Sequence, residues 1–349
     1  MKIAVYAIAK NEEHFVERCL NSVRQADLVV LGDTGSDDRT VEIAKDNGAV
    51  VYDITVSPWR FDVARNTVLS LVPPDVDICI SLDLDEVMTP GWREKVENAY
   101  PFTRLNYMFD WSKGIVFSQD KIHSRKGYSW RFPCHETLFA DPRLQEQRVS
   151  IDDLLIVHHP DDGKSRGQYL DLLEVSVKEN PYEQRALLYY GRELYFHRRY
   201  EEAVEWLEKY LKIQNLWFVE VAYARRLLGN IFKALGNTGK AIDQYKLAVN
   251  IHPSSKSNRV ALIKCLMDMQ LFEIAYGWAT ELLDIEDTED VYTRDPAAHE
   301  KYLNYDMLAL ISYYSGRYEE AKKWGNVALE YAPEDPRLLK NLEFYNLKG

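Results

Sequence analysis

Short apolar runs alternate with amphipathic stretches through the first hundred residues. KIAVYAIA precedes a helical pattern from Glu12 to Arg24, and DLVVLGD precedes TGSDDRTVEIAKDNG, where Ser36 or Asp37 is placed to cap a helix ending before Gly48. AVVYDITV leads to a helical pattern from Phe61 to Leu71, and the run from residue 76 to 83 reads as a fourth strand. Thr89 and Pro90 supply a cap and first position for another helix. Strands and helices in this alternation predict an α/β domain with a mostly parallel, Rossmann-like sheet covered on both faces. Beyond Tyr100 the chain becomes aromatic and strand-like, in LNYMFDWSKGIVFSQDKIHSRKGYSWRF.

From Gly163 onward the texture is helical and repetitive. RRYEEAVEWLEKYL, GNTGKAIDQYKLAV, QLFEIAYGWATELL and GRYEEAKKWGNVAL align on Ala203, Ala241, Ala275 and Ala321, spaced by 38, 34 and 46 residues. Gly191 and Gly229 each stand twelve residues ahead of an aligned alanine, and Pro253 and Pro333 close two of the units. Closely stacked helices leave no room for larger side chains at such positions. The pattern resembles the tetratricopeptide repeat. The expected organisation is therefore an α/β domain over 1–162 and an all-α repeat solenoid over 163–349, capped by a helix from Asp335 to Leu347. The acidic insertion DIEDTEDVYTRDPAAHE is expected to form a loop.

A composition of 46% hydrophobic and 28% charged residues is that of an ordinary globular protein, and 349 residues suit two domains. The start of the chain shows no small-residue cleavage site, and no stretch is long and apolar enough for a bilayer span. Cys19, Cys79, Cys134 and Cys265 are scattered without CxxC spacing, which argues for reduced thiols in a cytoplasmic protein. The net charge of −12 disfavours a phosphate-gripping nucleic-acid surface. The first 162 residues hold 18 basic against 27 acidic residues and the rest 25 against 28, so neither part looks basic.

Ligands of open parallel sheets bind beyond the carboxyl ends of the strands. Polar residues gather at those ends here: Lys10, Asn11 and Glu12; Asp33 to Ser36; and Asp83, Asp85 and Glu86. Three carboxylates within four residues repel one another unless a cation screens them. Hard oxygen ligands of this kind suit Mg2+ or Mn2+, whereas a single D-x-D is also a common solvated strand end.

Together, AIAKNEEHFVERCLNSV, DLVVLGDTGSDDRTVEIAKDNGAVVYDI, FDVARNTVLSL and ICISLDLDEV resemble the family 2 glycosyltransferases of the GT-A fold, and the attached repeats resemble the branch carrying tetratricopeptide repeats, known from bacteria and bacteriophages. The resemblance implies a nucleotide-sugar donor, a uridine diphosphate sugar being the commonest, and a divalent cation bridging its diphosphate to the D-x-D, with inversion at the anomeric carbon. Carried over by motif, Asp33 contacts base or ribose with Asn11 and Glu12 beside it. Arg65 faces the nucleotide or its phosphates, or else pairs with Asp62 on a helix surface. Asp83 reaches the ribose or the metal's water shell, and Asp85 ligates the metal. WRFPCHETLF offers Glu136 as the base that takes the acceptor's proton and His135 as a contact to acceptor or phosphate, although a structural hydrogen-bonding pair fits the same residues. His158, or its neighbour His159, is placed as the last metal ligand. Lys121, Arg125, Lys126 and Arg131 make a basic hairpin suited to a diphosphate or an acidic acceptor, or simply to solvent. Trp59 is placed to stack on a sugar or base, or to fill the core.

The expected activity is transfer of a sugar to a protein or glycan acceptor, with the repeats helping to bind the acceptor. The alternatives are a non-catalytic, repeat-based scaffold and a transferase acting on modified DNA bases.

Overall fold

The computed structural model describes residues 1–112, 115–161, 167–286, 296–298 and 300–348. The chain divides into two compact units, Met1–Glu179 and Asn180–Gly349. The expected boundary between residues 162 and 163 and most of the acidic insertion lie outside the described residues.

The first unit runs β1 (Ile3–Ala9), α1 (Val16–Ser22), β2 (Leu28–Asp33), α2 (Thr40–Asp46), β3 (Val50–Asp53), α3 (Phe61–Leu71), β4 (Ile78–Ser81), β5 (Glu86–Met88) and α4 (Trp92–Ala99). It continues through β6 (Arg104–Ser112), β7 (Ile115–Ser124), β8 (Tyr128–Arg131), β9 (Thr137–Ala140), β10 (Arg148–His158) and α5 (Tyr169–Glu179). Eight strands form one sheet in the order β3-β2-β1-β4-β7-β6-β10-β5, and β8 pairs with β9 as a separate hairpin. The block from β3 to β4 is parallel, β7 and β5 run antiparallel to their neighbours, and β6 pairs with β10 in parallel.

The apolar β1 is buried on both faces, as a central parallel strand requires. Ile3, Val5, Ala7 and Ala9 pack with Val16, Cys19 and Leu20 of α1 and Trp92 of α4, while Ala4 and Tyr6 pack with Val68 and Leu69 of α3 and Trp130 of β8. Gly32 of β2 lets α3 approach: a Cβ there would lie 2.2 Å from a methyl of Val68.

Several element ends differ from the sequence reading, each because a competing hydrogen bond, long-range at α1 and Thr89 and local at α2 and β4, prevails. The first helix begins at Val16, four residues late, because the Glu12 and Glu13 N–H groups donate to Thr40 Oγ1 and Asp38 Oδ2. Neither Ser36 nor Asp37 caps α2; Asp38 Oδ1 accepts from the Thr40 N–H, and Ser36 Oγ donates to Asp33. Thr89 bonds the carbonyl of Leu155 instead of capping, and α4 starts after Gly91 in the left-handed region at φ 82°. β4 stops at Ser81, where Asp83 and Glu86 close a turn: the Glu86 N–H donates to the Asp83 carbonyl, and the Asp83 N–H to Glu86 Oε2.

The second unit consists of helical hairpins: α6 (Gln184–Phe196) with α7 (Tyr200–Tyr210), α8 (Phe218–Ala234) with α9 (Thr238–Ile251), α10 (Lys256–Asp268) with α11 (Phe272–Leu283), and α12 (Lys301–Tyr314) with α13 (Tyr318–Tyr331). The four aligned alanines all fall on second helices and are fully buried. A Cβ on Gly191 would meet Leu207 at 2.9 Å, and one on Gly229 would meet the Tyr245 ring at 2.5 Å, so the repeat reading holds at the level of atoms. The last helix, α14 (Pro336–Lys348), buries Tyr345 against Ala309 and Ala321.

Candidate active site

The carboxyl ends of β1, β2 and β4 bring three loops to one edge of the sheet. Asp33, almost fully buried, orders the second of these: its Oδ2 accepts from the N–H groups of Gly35 and Ser36, and its Oδ1 from Ser36 Oγ. The Asn11 N–H donates to Ser36 Oγ at 2.9 Å, and Asn11 Oδ1 accepts from the Asp37 N–H at 2.9 Å. Asn11 is held with φ at 55°, an uncommon conformation for a residue with a Cβ. Asn11, Glu12 and Asp33 therefore belong to one cross-linked pair of loops.

Beneath the third loop lies a buried charge network. Arg65, on the inward face of α3, donates from Nη2 to Asp83 at 2.6 Å, from Nε to Glu136 at 2.5 Å and from Nη1 to Ser81 Oγ at 3.2 Å. Its guanidinium also sits 5.2 Å from the ring centre of Trp130. Lys121, from β7, bridges Asp83 at 3.1 Å and Glu86 at 2.9 Å. Burial alone would raise the pKa of Asp83, but Arg65 and Lys121 outweigh it and hold the carboxyl well below the usual range. Burial pushes Glu86 up; Lys121 opposes the shift and the charge of Asp83 adds to it. The three clustered acids of the sequence thus separate in role. Asp83 and Glu86 are held by cations of the protein itself.

Asp85 turns to the other side and meets His158 at the end of β10. His158 Nε2 lies 3.4 Å from Asp85 Oδ2, and the His159 N–H donates to the Asp85 carbonyl at 2.8 Å. His158 Nδ1 is 2.9 Å from the carbonyl of Trp111, which only accepts, so Nδ1 carries the proton and Nε2 presents its lone pair in the neutral ring. Burial pulls the His158 pKa down, yet Asp85 and the Trp111 carbonyl more than reverse this and raise it. An imidazole lone pair facing a carboxylate demands a positive charge between them, from a proton or a metal ion. A mixed nitrogen and oxygen donor pair with its second nitrogen anchored to a carbonyl fits a divalent cation, Mn2+ more readily than Mg2+. Among the described residues no group of three metal-binding side chains converges there.

The WRFPCHETLF segment reaches the same edge. Phe132 and His135 adopt left-handed backbone at φ 81° and 50°. Glu136 comes to Arg65 through Oε1, and among the described residues its Oε2 accepts no hydrogen bond. The His135 ring lies 5.5 Å from that of Tyr169 on α5.

The structure brings together Arg65, Asp83 and Glu136, and separately Asp85 and His158. Arg65 does not pair with Asp62, which is taken by Arg60 at 2.9 Å. The basic hairpin is largely committed: Lys121 to the two acids, Arg125 to the Val72 carbonyl, and Arg131 to the ring of Phe139. Trp130 and Ser81, which complete the seat of Arg65, carry no sequence signal apart from their place in apolar runs.

Residues 5–146 match the model of glycosyl transferase family 2. An uncharacterized glycosyltransferase of Rickettsia bellii (strain RML369-C) is 34% identical over 106 residues, 30% of this chain and 34% of that protein. One of Rickettsia prowazekii (strain Madrid E) is likewise 34% identical over 106 residues, with the same coverage. The chain thus spans about a third of the length of these relatives. Among solved structures, the MamA protein is 19% identical with a TM-score of 0.39, over 47% of this chain and 81% of that one.

Proposed function

With a family 2 glycosyltransferase domain in its first unit, we propose that this protein is a metal-dependent, inverting transferase. It moves a sugar from a nucleotide diphosphate, a uridine diphosphate sugar first, to a protein or glycan acceptor. The observation that carries the reading is the Asp85 carboxylate lying 3.4 Å from His158 Nε2 at the edge where the strand-end loops gather. Asp85 and His158 would hold Mn2+ or Mg2+, which when bound stabilises the negative charge of the departing diphosphate.

The chain's own residues divide the remaining work. Asn11, Glu12 and Asp33 form the wall for base and ribose, and Asp83 reaches the ribose or the cation's water shell. Arg65 holds Asp83 and Glu136 in a fixed relation. Glu136 takes the proton of the acceptor hydroxyl on Oε2 as that oxygen bonds to the anomeric carbon, on the face opposite the leaving diphosphate. His135 contacts acceptor or phosphate. The repeats of the second unit assist acceptor binding.

The experiment is a screen for nucleoside diphosphate release from a panel of nucleotide sugars with Mn2+, where water serves as a slow acceptor. Release from one donor, lost in Asp85→Asn, supports the reading. A folded wild type that releases nucleotide from none of them contradicts it.

A further inference from the structure

Beside Glu136 lies a row of aromatic side chains that the donor site does not use. The rings of Trp59 and Phe61 are 5.2 Å apart, those of Phe61 and Tyr169 6.4 Å, and those of Tyr169 and His135 5.5 Å. All four residues are half-buried, so the row is neither core nor open surface.

The row is built, not incidental. The Phe61 N–H donates to the Pro133 carbonyl at 2.9 Å, which pins the start of α3 to the loop carrying His135 and Glu136. Arg60 pairs with Asp62 at 2.9 Å and with Glu179 at 2.5 Å, which ties the far end of α5 to the same helix start. Phe132 and His135 hold left-handed backbone, and residues kept in such conformations concentrate at functional sites. Trp59 Nε1 is shielded from solvent and makes no hydrogen bond among the described residues.

We infer that Trp59, Phe61 and Tyr169 form the acceptor subsite, and that the acceptor group they take is a neutral sugar ring with its C–H face against the Tyr169 ring and a hydroxyl toward Glu136. The inference rests on the reading of the site as a glycosyltransferase centre with Glu136 as base. Two features select this chemistry. The rings are inclined to one another, by 76° between Trp59 and Phe61, 55° between Phe61 and Tyr169 and 43° between Tyr169 and His135, so each offers its own face. Aromatic faces with a few polar groups beside them suit a ligand that is apolar on its faces and polar at its edge, as a pyranose is. Among the described residues, the cations flanking the row are Arg60 and Arg65, each already engaged by two carboxylates, so neither calls for an anionic acceptor.

The test uses the full chain, the donor found by the release screen, methyl glycosides of the common hexoses as acceptor probes, and serine- and threonine-containing peptides beside them. Donor affinity is measured by calorimetry for wild type, Tyr169→Phe and Tyr169→Ala. The expected result is transfer to a glycoside, with acceptor KM raised about tenfold or more in Tyr169→Ala and near wild type in Tyr169→Phe, and donor Kd the same in all three. If Tyr169→Ala does not fold, Tyr169→Leu keeps apolar bulk without a ring face and gives the same comparison. Transfer to no glycoside, or an unchanged KM once the ring is removed, overturns the inference while leaving the donor site intact. Absence of donor binding in the wild type overturns the glycosyltransferase reading and this inference with it.

Discussion

Arg65 and Glu136 stand seventy-one residues apart in the chain and 2.5 Å apart in the fold, Nε to Oε1. The same guanidinium holds Asp83, so one buried cation links the D-x-D turn to the loop carrying the proposed base. Removing Arg65 takes from the mostly buried Glu136 side chain the cation that holds it and leaves Asp83 to Lys121. Arg65→Met is expected to cost about 3–5 kcal/mol of stability. Arg65→Lys, which keeps the charge and loses the fork, is expected to cost less. Denaturant midpoints at unchanged m-value measure both, and an Arg65→Met protein as stable as wild type would contradict the network's role.

Glu136→Gln preserves the shape of the side chain and removes its ability to take a proton. Transfer is expected to fall by about 10²–10⁴-fold while the donor Kd stays the same. Steady-state rates beside calorimetry check this, and near-normal transfer would assign the proton to another group.

A second buried chain makes stability depend on pH. Trp130 Nε1 donates to Tyr6 Oη at 2.8 Å, and Tyr6 Oη lies 2.9 Å from His123 Nε2. His123 Nδ1 faces the Ser124 carbonyl at 2.8 Å, so the neutral ring donates at Nδ1 and accepts at Nε2. Burial lowers its pKa from 6.5 to about 4. The unfolded chain therefore binds a proton between these values that the folded chain does not. Stability is full above about pH 6.5 and falls as the pH drops toward 4, by about 3 kcal/mol from this group. The same titration on His123→Gln, starting from a lower stability at pH 7, is expected to lack that component. An identical pH slope in both proteins would place the cause elsewhere.

Two glycines of the second unit make a matched pair. Gly229→Ala drives a methyl into the Tyr245 ring and is expected to cost about 1–3 kcal/mol, whereas Gly277→Ala points into open space within α11 and is expected to stabilise by about 0.5–1 kcal/mol. Thermal unfolding of the two variants should move in opposite directions. Equal shifts would mean that the helices do not pack closely at Gly229.

What the sequence makes legible follows from the range of the interactions involved. The span of α3 matches its apolar periodicity from Phe61 to Leu71, and the repeat alanines mark tight packing, because both are written in neighbouring residues. His158 is legible as a polar residue closing the apolar run LLIV. The start of α1 is not, since Thr40 and Asp38 reach across from another loop to bind the backbone at Glu12 and Glu13. Lys121 reads as a surface cation of a hairpin; only the pairing of β7 with β4 sets it beside Asp83 and Glu86. Tyr169 lies in the stretch that reads as repeat, yet α5 packs within the first unit and brings it to His135.

The central claim is that Asp85 and His158 serve a cation that the donor requires. Calorimetric titration with the nucleotide sugar found in the release screen tests it most directly, with Mn2+ and with chelator, on wild type, Asp85→Asn and His158→Ala. The account predicts binding by the wild type that depends on Mn2+ and is weakened or lost in both folded variants. Binding of equal strength under chelator, or unchanged in Asp85→Asn, would contradict it.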